Sequence, residues 1–241
     1  MPIETITFDF WNTIVDAKVN GRQRHEDRMA FMEEVYRAHQ PDATRERLDE
    51  AVEEARKAFD QSWEHEHRTL GAADLLGVVW THLEVEPAPD EAAEAVRRFE
   101  EGLLDAPPAL AEGIADAIRW ATGRYRLSII SDTMFSPGRI LRGLLEQHGL
   151  LSSFTSTVFS DEMGYSKPDQ RAFDTALTGV GGAADSAVHI GDIRRTDVAG
   201  ANEAGMKSLL YTGIRVDAPD APLATAEFAS WRDLPAVLSR L

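Results

Sequence analysis

Ile3-Glu4-Thr5-Ile6-Thr7-Phe8-Asp9-Phe10-Trp11-Asn12-Thr13, near the start of the chain, sets a short apolar strand directly before an acidic residue. The arrangement returns further along. Leu127-Ser128-Ile129-Ile130 runs into Ser131, and Val188-His189-Ile190-Gly191 runs into Asp192. Tyr165-Ser166-Lys167-Pro168 places a cation in a loop between them. In an open parallel sheet the carboxyl ends of the strands gather along one edge, where ligands bind. Four residues distant in sequence then meet: a carboxylate nucleophile at Asp9, a hydroxyl donor at Ser131, a cation at Lys167 and an acidic metal ligand at Asp192. That set suits attack on an anionic ester assisted by a divalent cation.

Further segments extend the pattern. Thr157-Val158-Phe159 and Ser208-Leu209-Leu210-Tyr211 are short and apolar, as buried parallel strands are, and Glu227-Phe228-Ala229 adds an edge strand. Helical spacing lies between them: Leu110, Ile114, Ala117, Ile118 and Ala121; then Ile140, Leu141, Leu144 and Leu145; then Ala172, Phe173, Ala176 and Leu177. Gly149 and Gly205 are helix stops. The alternation predicts an α/β fold, a doubly wound, Rossmann-like parallel sheet with right-handed crossovers. Asp217-Ala218-Pro219-Asp220-Ala221-Pro222 is a turn-rich loop.

Residues 17–106 break this pattern. Leu48, Val52, Ala55, Phe59 and Trp63 form one apolar stripe, and Ala92, Val96, Phe99 and Leu103 another. The stretch is expected to be an inserted helical domain of roughly four helices, jointed at Gly21 and Pro107-Pro108, with residues 1–16 and 107–241 forming the core domain. An insert directly after the first strand overhangs the ligand-binding edge and can act as a lid.

With 241 residues, 43% of them hydrophobic, the chain can build one large α/β domain with an insert. No apolar run approaches the ~18–20 residues that cross a bilayer, and no secretory signal is visible. There are no cysteines, which excludes disulfides, thiolate nucleophiles and cysteine zinc sites. A net charge of −16 disfavours nucleic acid and anionic membranes as partners. A cytoplasmic location and a small anionic substrate are the expectation; oligomeric state is left open.

The four motifs together resemble the haloacid dehalogenase (HAD) superfamily of hydrolases. Phe8-Asp9-Phe10-Trp11-Asn12-Thr13 is similar to its first motif and Ile130-Ser131-Asp132 to its second. Lys167-Pro168 is similar to its third, and Gly191-Asp192 through Asp197 to its acidic fourth. The helical insert sits where the family's C1 cap does. The resemblance implies a Mg²⁺-dependent phosphatase acting through an aspartyl-phosphate at Asp9. It implies metal binding by Asp9, the Trp11 carbonyl and Asp192, supported by Asp197. Catalytic help would come from Ser131 and Lys167, and substrate contacts from Trp11, Asn12, Thr13, Ser131 and Asp132. Apart from the resemblance, Arg194 and Arg195, just after Asp192, suit either contact with a second anionic group of the substrate or plain solvation of the loop. Thr13 also suits a purely structural role, closing the turn after the first strand.

One position departs from the family. Its phosphatases usually carry a second Asp two residues after the nucleophile, which protonates the leaving oxygen; here that residue is Trp11. General acid–base help is typically worth ~10²–10⁴-fold, so alkyl phosphates should be poor substrates. Two alternatives follow. A 2-haloacid dehalogenase-like enzyme fits an aromatic residue at this position, but that branch lacks the acidic fourth motif. A phosphonatase-like enzyme keeps the metal but needs a cap lysine, and only Lys18 and Lys57 are there. A third alternative is a non-catalytic module that binds a phosphorylated ligand or a protein. Arg22, Arg24, His25 and Arg28 form a basic cluster expected to be a solvated helix face, with a substrate anion site as the alternative; His65-Glu66-His67 is expected to be an exposed helix end, and the tryptophans at 63, 80, 120 and 231 packing residues.

Overall fold

The apolar run before Asp9 lies at the middle of the molecule. In the computed structural model, which describes residues 2–217 and 222–241, it forms β1 (Thr5–Phe8). The chain continues through β2 (Val15–Asp16), α1 (Gly21–His39), α2 (Arg45–His65), α3 (Ala72–Leu83), α4 (Pro89–Asp105) and β3 (Ala109–Leu110). Strands and helices then alternate: α5 (Ile114–Ala121), β4 (Arg126–Ser131), α6 (Gly138–Gln147), β5 (Ser156–Phe159), α7 (Ser160–Met163), α8 (Gln170–Val180) and β6 (Ala187–Gly191). Last come α9 (Ala199–Glu203), β7 (Lys207–Tyr211), β8 (Ala226–Phe228) and α10 (Leu234–Leu238). Of the turn-rich loop expected at 217–222, residues 218–221 lie outside the described residues.

Six strands form one parallel sheet in the order β5-β4-β1-β6-β7-β8. Successive strand residues point to opposite faces, and the two faces carry separate cores. Ile129 joins Ile6, Phe8, Ile190, Leu141 and Ile118 on one side. Its neighbour Ile130 joins Val158, Phe173 and Ala176 on the other. Phe8 pairs with both Ile129 and Ile190, so β4, β1 and β6 end close to one level. That register delivers Ser131, Asp9 and Asp192 side by side at the carboxyl edge. β2 and β3 pair antiparallel through two residues each, too few for any periodicity to announce them.

The four helices α1–α4 enclose a further apolar core built on Met29, Leu48, Leu76, Val79, Trp80 and Phe99. On α4 the fully buried positions are Ala95, Phe99 and Leu103. The expected solvated face of α1 is corrected at Arg24, which is only 6% exposed. Its guanidinium donates to the carbonyls of Ala17 (2.8 Å), Val19 (3.0 Å) and Ala106 (2.7 Å). One side chain thus ties together the chain's entry to the helices and its exit. Asn20 adds a bond from Nδ2 to the Pro107 carbonyl at 2.9 Å.

The α2–α3 connection touches the sheet domain. Ser166 N donates to the His67 carbonyl at 2.7 Å, and the Thr69 and Ser160 hydroxyls lie 2.6 Å apart. His65 and Glu66 are exposed, but His67 is half-buried, with φ of 53°. Trp80 and Trp231 are buried in cores. Trp63 is not a plain packing residue, because its Nε1 donates to Asp132 Oδ2 at 2.9 Å.

Removing Arg24 leaves three carbonyls that a charged donor had satisfied. Arg24→Met should cost roughly 2–4 kcal/mol of stability. A urea titration checks this: the midpoint falls, while the far-ultraviolet spectrum of the folded state is unchanged.

Candidate active site

Lys167 organises the carboxyl edge of the sheet. Its side chain is 2% exposed, and its Nζ lies 2.6 Å from both Asp9 Oδ1 and Asp197 Oδ1. Asp197 is brought there by the π-helical turn Arg194–Val198, which folds the chain back under the end of β6. Gly191 makes that approach possible: a Cβ at 191 would lie 2.2 Å from Asp197 Cγ. Asp197 Oδ2 accepts from Ile193 N at 2.9 Å, so both of its oxygens are held by the protein.

Burial alone would lower the Lys167 ammonium, but Asp197 and Asp9 outweigh it and keep the group charged far above neutrality. Burial would raise Asp197, yet Lys167 and the His189 hydrogen bond hold it well below the usual carboxylate range. Asp9 is pushed up to about 7, by burial first, with Lys167 opposing and Asp197 adding. Asp192 is pushed up to about 8 by burial, Asp9 and Asp197.

The donor set fits a hard divalent cation. Asp9, Asp192 and Asp197 are buried and each offers a carboxylate oxygen within 4.8 Å of the others. Asp192 Oδ2 is buried with no hydrogen-bond partner, and its nearest cation, Arg215, stands 3.8 Å away. Three clustered carboxylates face one lysine, and oxygen ligands of this kind are what Mg²⁺ takes. Asp9 and Asp192 have capacity to spare, whereas Asp197 is already engaged through both oxygens.

These residues open onto a cavity of about 430 Å³ that also takes in Trp11, Asn12, Asp132 and Thr133. Trp11 packs edge-on to Phe10 at 5.4 Å. Asn12 has φ of 55°, a left-handed turn that Asn tolerates, and its Oδ1 accepts from Ala17 N at 3.3 Å. Asp132 accepts from Lys167 N at 2.9 Å as well as from Trp63. Thr13 is fully buried with an unpartnered hydroxyl. Ser131 is buried at the end of β4 and donates to the Asp132 carbonyl at 3.2 Å; it is not among the cavity-lining residues.

Arg194 and Arg195 do not line the cavity. Arg194 turns outward to Glu227 (2.5 Å) and the Pro222 carbonyl (3.3 Å). Arg195 stacks its guanidinium 4.2 Å over the Trp63 ring. The cations the cavity does contain are Arg24 and Arg28 of α1, beside Lys167. Amphipathic spacing gave no sign of this, because the face of α1 that carries them is polar.

His189 was legible only as a strand residue. It is 1% exposed; its Nε2 lies 3.1 Å from Asp197 Oδ1 and its Nδ1 2.7 Å from Thr7 Oγ1. Burial lowers it, so it is neutral. A carboxylate can only accept, so Nε2 carries the proton and Thr7 donates to Nδ1. A hydrogen-bonded line therefore runs Thr7, His189, Asp197, Lys167, Asp9.

A family model for haloacid dehalogenase-like hydrolases matches residues 3–205. Phosphoserine phosphatase of Thermus thermophilus is 38% identical over 74 residues, 30% of either chain. Pyrimidine 5′-nucleotidase of Escherichia coli is 30% identical over 131 residues, 54% of this chain and 56% of that one. With a glyceraldehyde 3-phosphate phosphatase matched over 37% of its length, the chain spans from under a third to just over half of these curated relatives. Among solved structures, a 2-haloacid dehalogenase from Pseudomonas syringae superposes with a TM-score of 0.73 at 24% identity over 99% of both chains. A magnesium-bound HAD-hydrolase of Bacillus subtilis does so at 0.65 and 18% over 99% of both. No helix among the described residues is long and apolar enough to cross a membrane. Sheet order, motif positions and the match over most of the chain agree: it belongs to the haloacid dehalogenase-like hydrolases.

Proposed function

We propose that the chain is a Mg²⁺-dependent phosphatase that works through an aspartyl-phosphate at Asp9, on small phosphorylated molecules with good leaving groups. The observation that carries this is the cluster of Asp9, Asp192 and Asp197 around one buried lysine. Asp9, Asp192 and the Trp11 carbonyl would hold the metal, with Asp197 in support. When bound, it offsets charge on the phosphoryl oxygens.

The chain's own groups divide the rest. Lys167 fixes Asp9 Oδ1 and adds positive charge where an anionic ester must approach. The Asp9 carboxylate attacks phosphorus, and the ester bond breaks with its electron pair on the leaving oxygen. Water then attacks phosphorus, releasing phosphate and restoring Asp9. Nothing is placed to protonate the leaving oxygen. Among the described residues, no histidine, glutamate or tyrosine lines the cavity. Asp132 is engaged through both oxygens by N–H donors. The carboxylate of an acyl phosphate and the phenolate of an aryl phosphate leave without a proton; the alkoxide of a sugar phosphate does not. Residues 17–106 act in this reading as the cap domain, closing the cavity over Asp9.

Carbon–halogen cleavage is the second reading. Trp11 and the apolar walls favour it, and halide needs no acid. The unpartnered Asp192 carboxylate disfavours it. Lys18 and Lys57 are exposed and outside the cavity, which gives carbon–phosphorus cleavage no Schiff-base amine.

Phosphate release with and without Mg²⁺, from acetyl phosphate and aryl phosphates beside sugar phosphates, tests the proposal. Metal-dependent turnover confined to the good leaving groups is the expected result. No release from any of them, with halide release from haloacids instead, would replace it. Asp9→Asn should abolish turnover while the far-ultraviolet spectrum of the folded protein is unchanged. Trp11→Asp should raise kcat/KM on alkyl phosphates by ~10² or more, and a folded variant with no gain would refute the account of the missing acid.

Asp9 and Asp192 bind protons more tightly folded than unfolded, because burial raises both. Their contribution to stability is full below the ordinary carboxylate value and is lost as pH rises through about 7 and about 8. Metal-free protein should lose stability progressively as pH rises across that window. Saturating Mg²⁺ should cancel the loss, and should bind more tightly at pH 8.5 than at pH 6. Denaturant titrations and calorimetry across pH measure both effects.

A further inference from the structure

Arg28 of α1 lines the same cavity as Asp9, but none of the four motifs includes it. Its guanidinium lies 4.2 Å from the centre of the Phe135 ring and 5.7 Å from that of Phe99. Its Nε is buried with no hydrogen-bond partner, and its Nη2 reaches only the Phe99 carbonyl, at 3.4 Å. Among the described residues it forms no ion pair. Elsewhere on the four helices arginines are matched: Arg45 to Asp49 at 2.8 Å, Arg56 to Glu53 at 2.7 Å, Arg97 to Glu94 at 2.7 Å. The chain has 41 acidic residues against 25 basic ones, so a carboxylate partner was easily supplied. A half-buried cation left without one, beside a second buried arginine, is costly unless a ligand brings the anion.

The large apolar side chains that line the cavity shared by Arg28, Asp9 and Lys167 include Trp11, Phe59, Trp63, Leu103, Met134 and Phe135. A polyhydroxylated leaving group would set its hydroxyls against rings that cannot bond them. An aromatic ring would pack on them. A phenolic oxygen also departs without the acid that Trp11 displaces. We propose that the substrate is an aromatic phosphate ester whose ring carries a carboxylate, and that Arg28 is the residue that binds this second anion. The planar guanidinium fork matches a carboxylate through two parallel bonds. The proposal rests on the phosphatase reading for the ester and on Arg28 and the walls for the leaving group.

Binding can be measured apart from chemistry. The probes are benzylphosphonate, its 3- and 4-carboxy derivatives and the matching carboxamides, titrated by calorimetry into the Mg²⁺-loaded protein. A carboxylate in one of the two positions should bind roughly tenfold or more tightly than its carboxamide, and Arg28→Gln should erase that margin. Equal affinities in the wild type overturn the proposal without recourse to any variant. So does a margin that survives Arg28→Gln, or no binding by any probe. Phosphate release from phenyl phosphate is followed in parallel. A carboxylate margin without turnover would spare Arg28 and sink the phosphatase; turnover without a margin would do the reverse.

Discussion

Everything at the sheet edge depends on one buried ammonium held between two buried carboxylates. Taking Lys167 out of water costs several kcal/mol, and each carboxylate costs as much again. Good geometry recovers this only if all three groups arrive together, and they come from three separate segments of the chain. β1 delivers Asp9, the loop after α7 delivers Lys167, and the turn after β6 delivers Asp197. Asp197 is further fixed by Ile193 N and by His189, with Thr7 behind the histidine. Asp192 adds a third buried carboxylate, one oxygen of which has no hydrogen-bond partner. A divalent cation held there would make the edge hospitable to a phosphoryl group that the carboxylates alone would repel.

The four helices between β2 and β3 complete the cavity. They have an apolar core of their own, while Leu103 of α4 joins the sheet core and Met134 and Phe135 of the sheet domain pack against the helices. Arg24 fixes the joint, while Trp63 reaches across to Asp132 and lies under Arg195. Asp132 is thereby shared: one oxygen takes the Trp63 indole, the other the Lys167 backbone. The position of the helices is thus coupled to the loop that carries the ammonium, through Asp132 and through the Ser166–His67 backbone bond.

The strands were legible in the sequence because buried parallel strands are short, apolar and bounded by polar residues. Asp9, Lys167, Asp192 and Asp197 were legible because strand ends concentrate chemistry. His189 was not, since a polar residue inside a buried strand shows its partner only once β1 and β6 are in register. Arg194 and Arg195 stand two and three residues after Asp192, yet the π turn sends one guanidinium away from the cavity to Glu227 and the other over the Trp63 ring. Arg24 and Arg28 looked like solvated charges because amphipathic reasoning assumes that a polar face meets water. Here that face meets the joint and the cavity, which is a tertiary fact. The β2–β3 pair is too short to leave a periodic trace.

Trp11 links the two halves of the functional argument. Replacing an acid by an indole at the nucleophile's second neighbour removes proton transfer, and the same substitution adds an apolar wall. The two changes favour one kind of ligand, since a ring that stacks on indole is also a ring that can delocalise the charge left on its oxygen. Against such a leaving group the loss of the acid costs little rate, and the cavity gains binding area in exchange. On the proposed reading, Arg28 of the same cavity would distinguish one aromatic ester from another by charge, where apolar walls alone discriminate poorly.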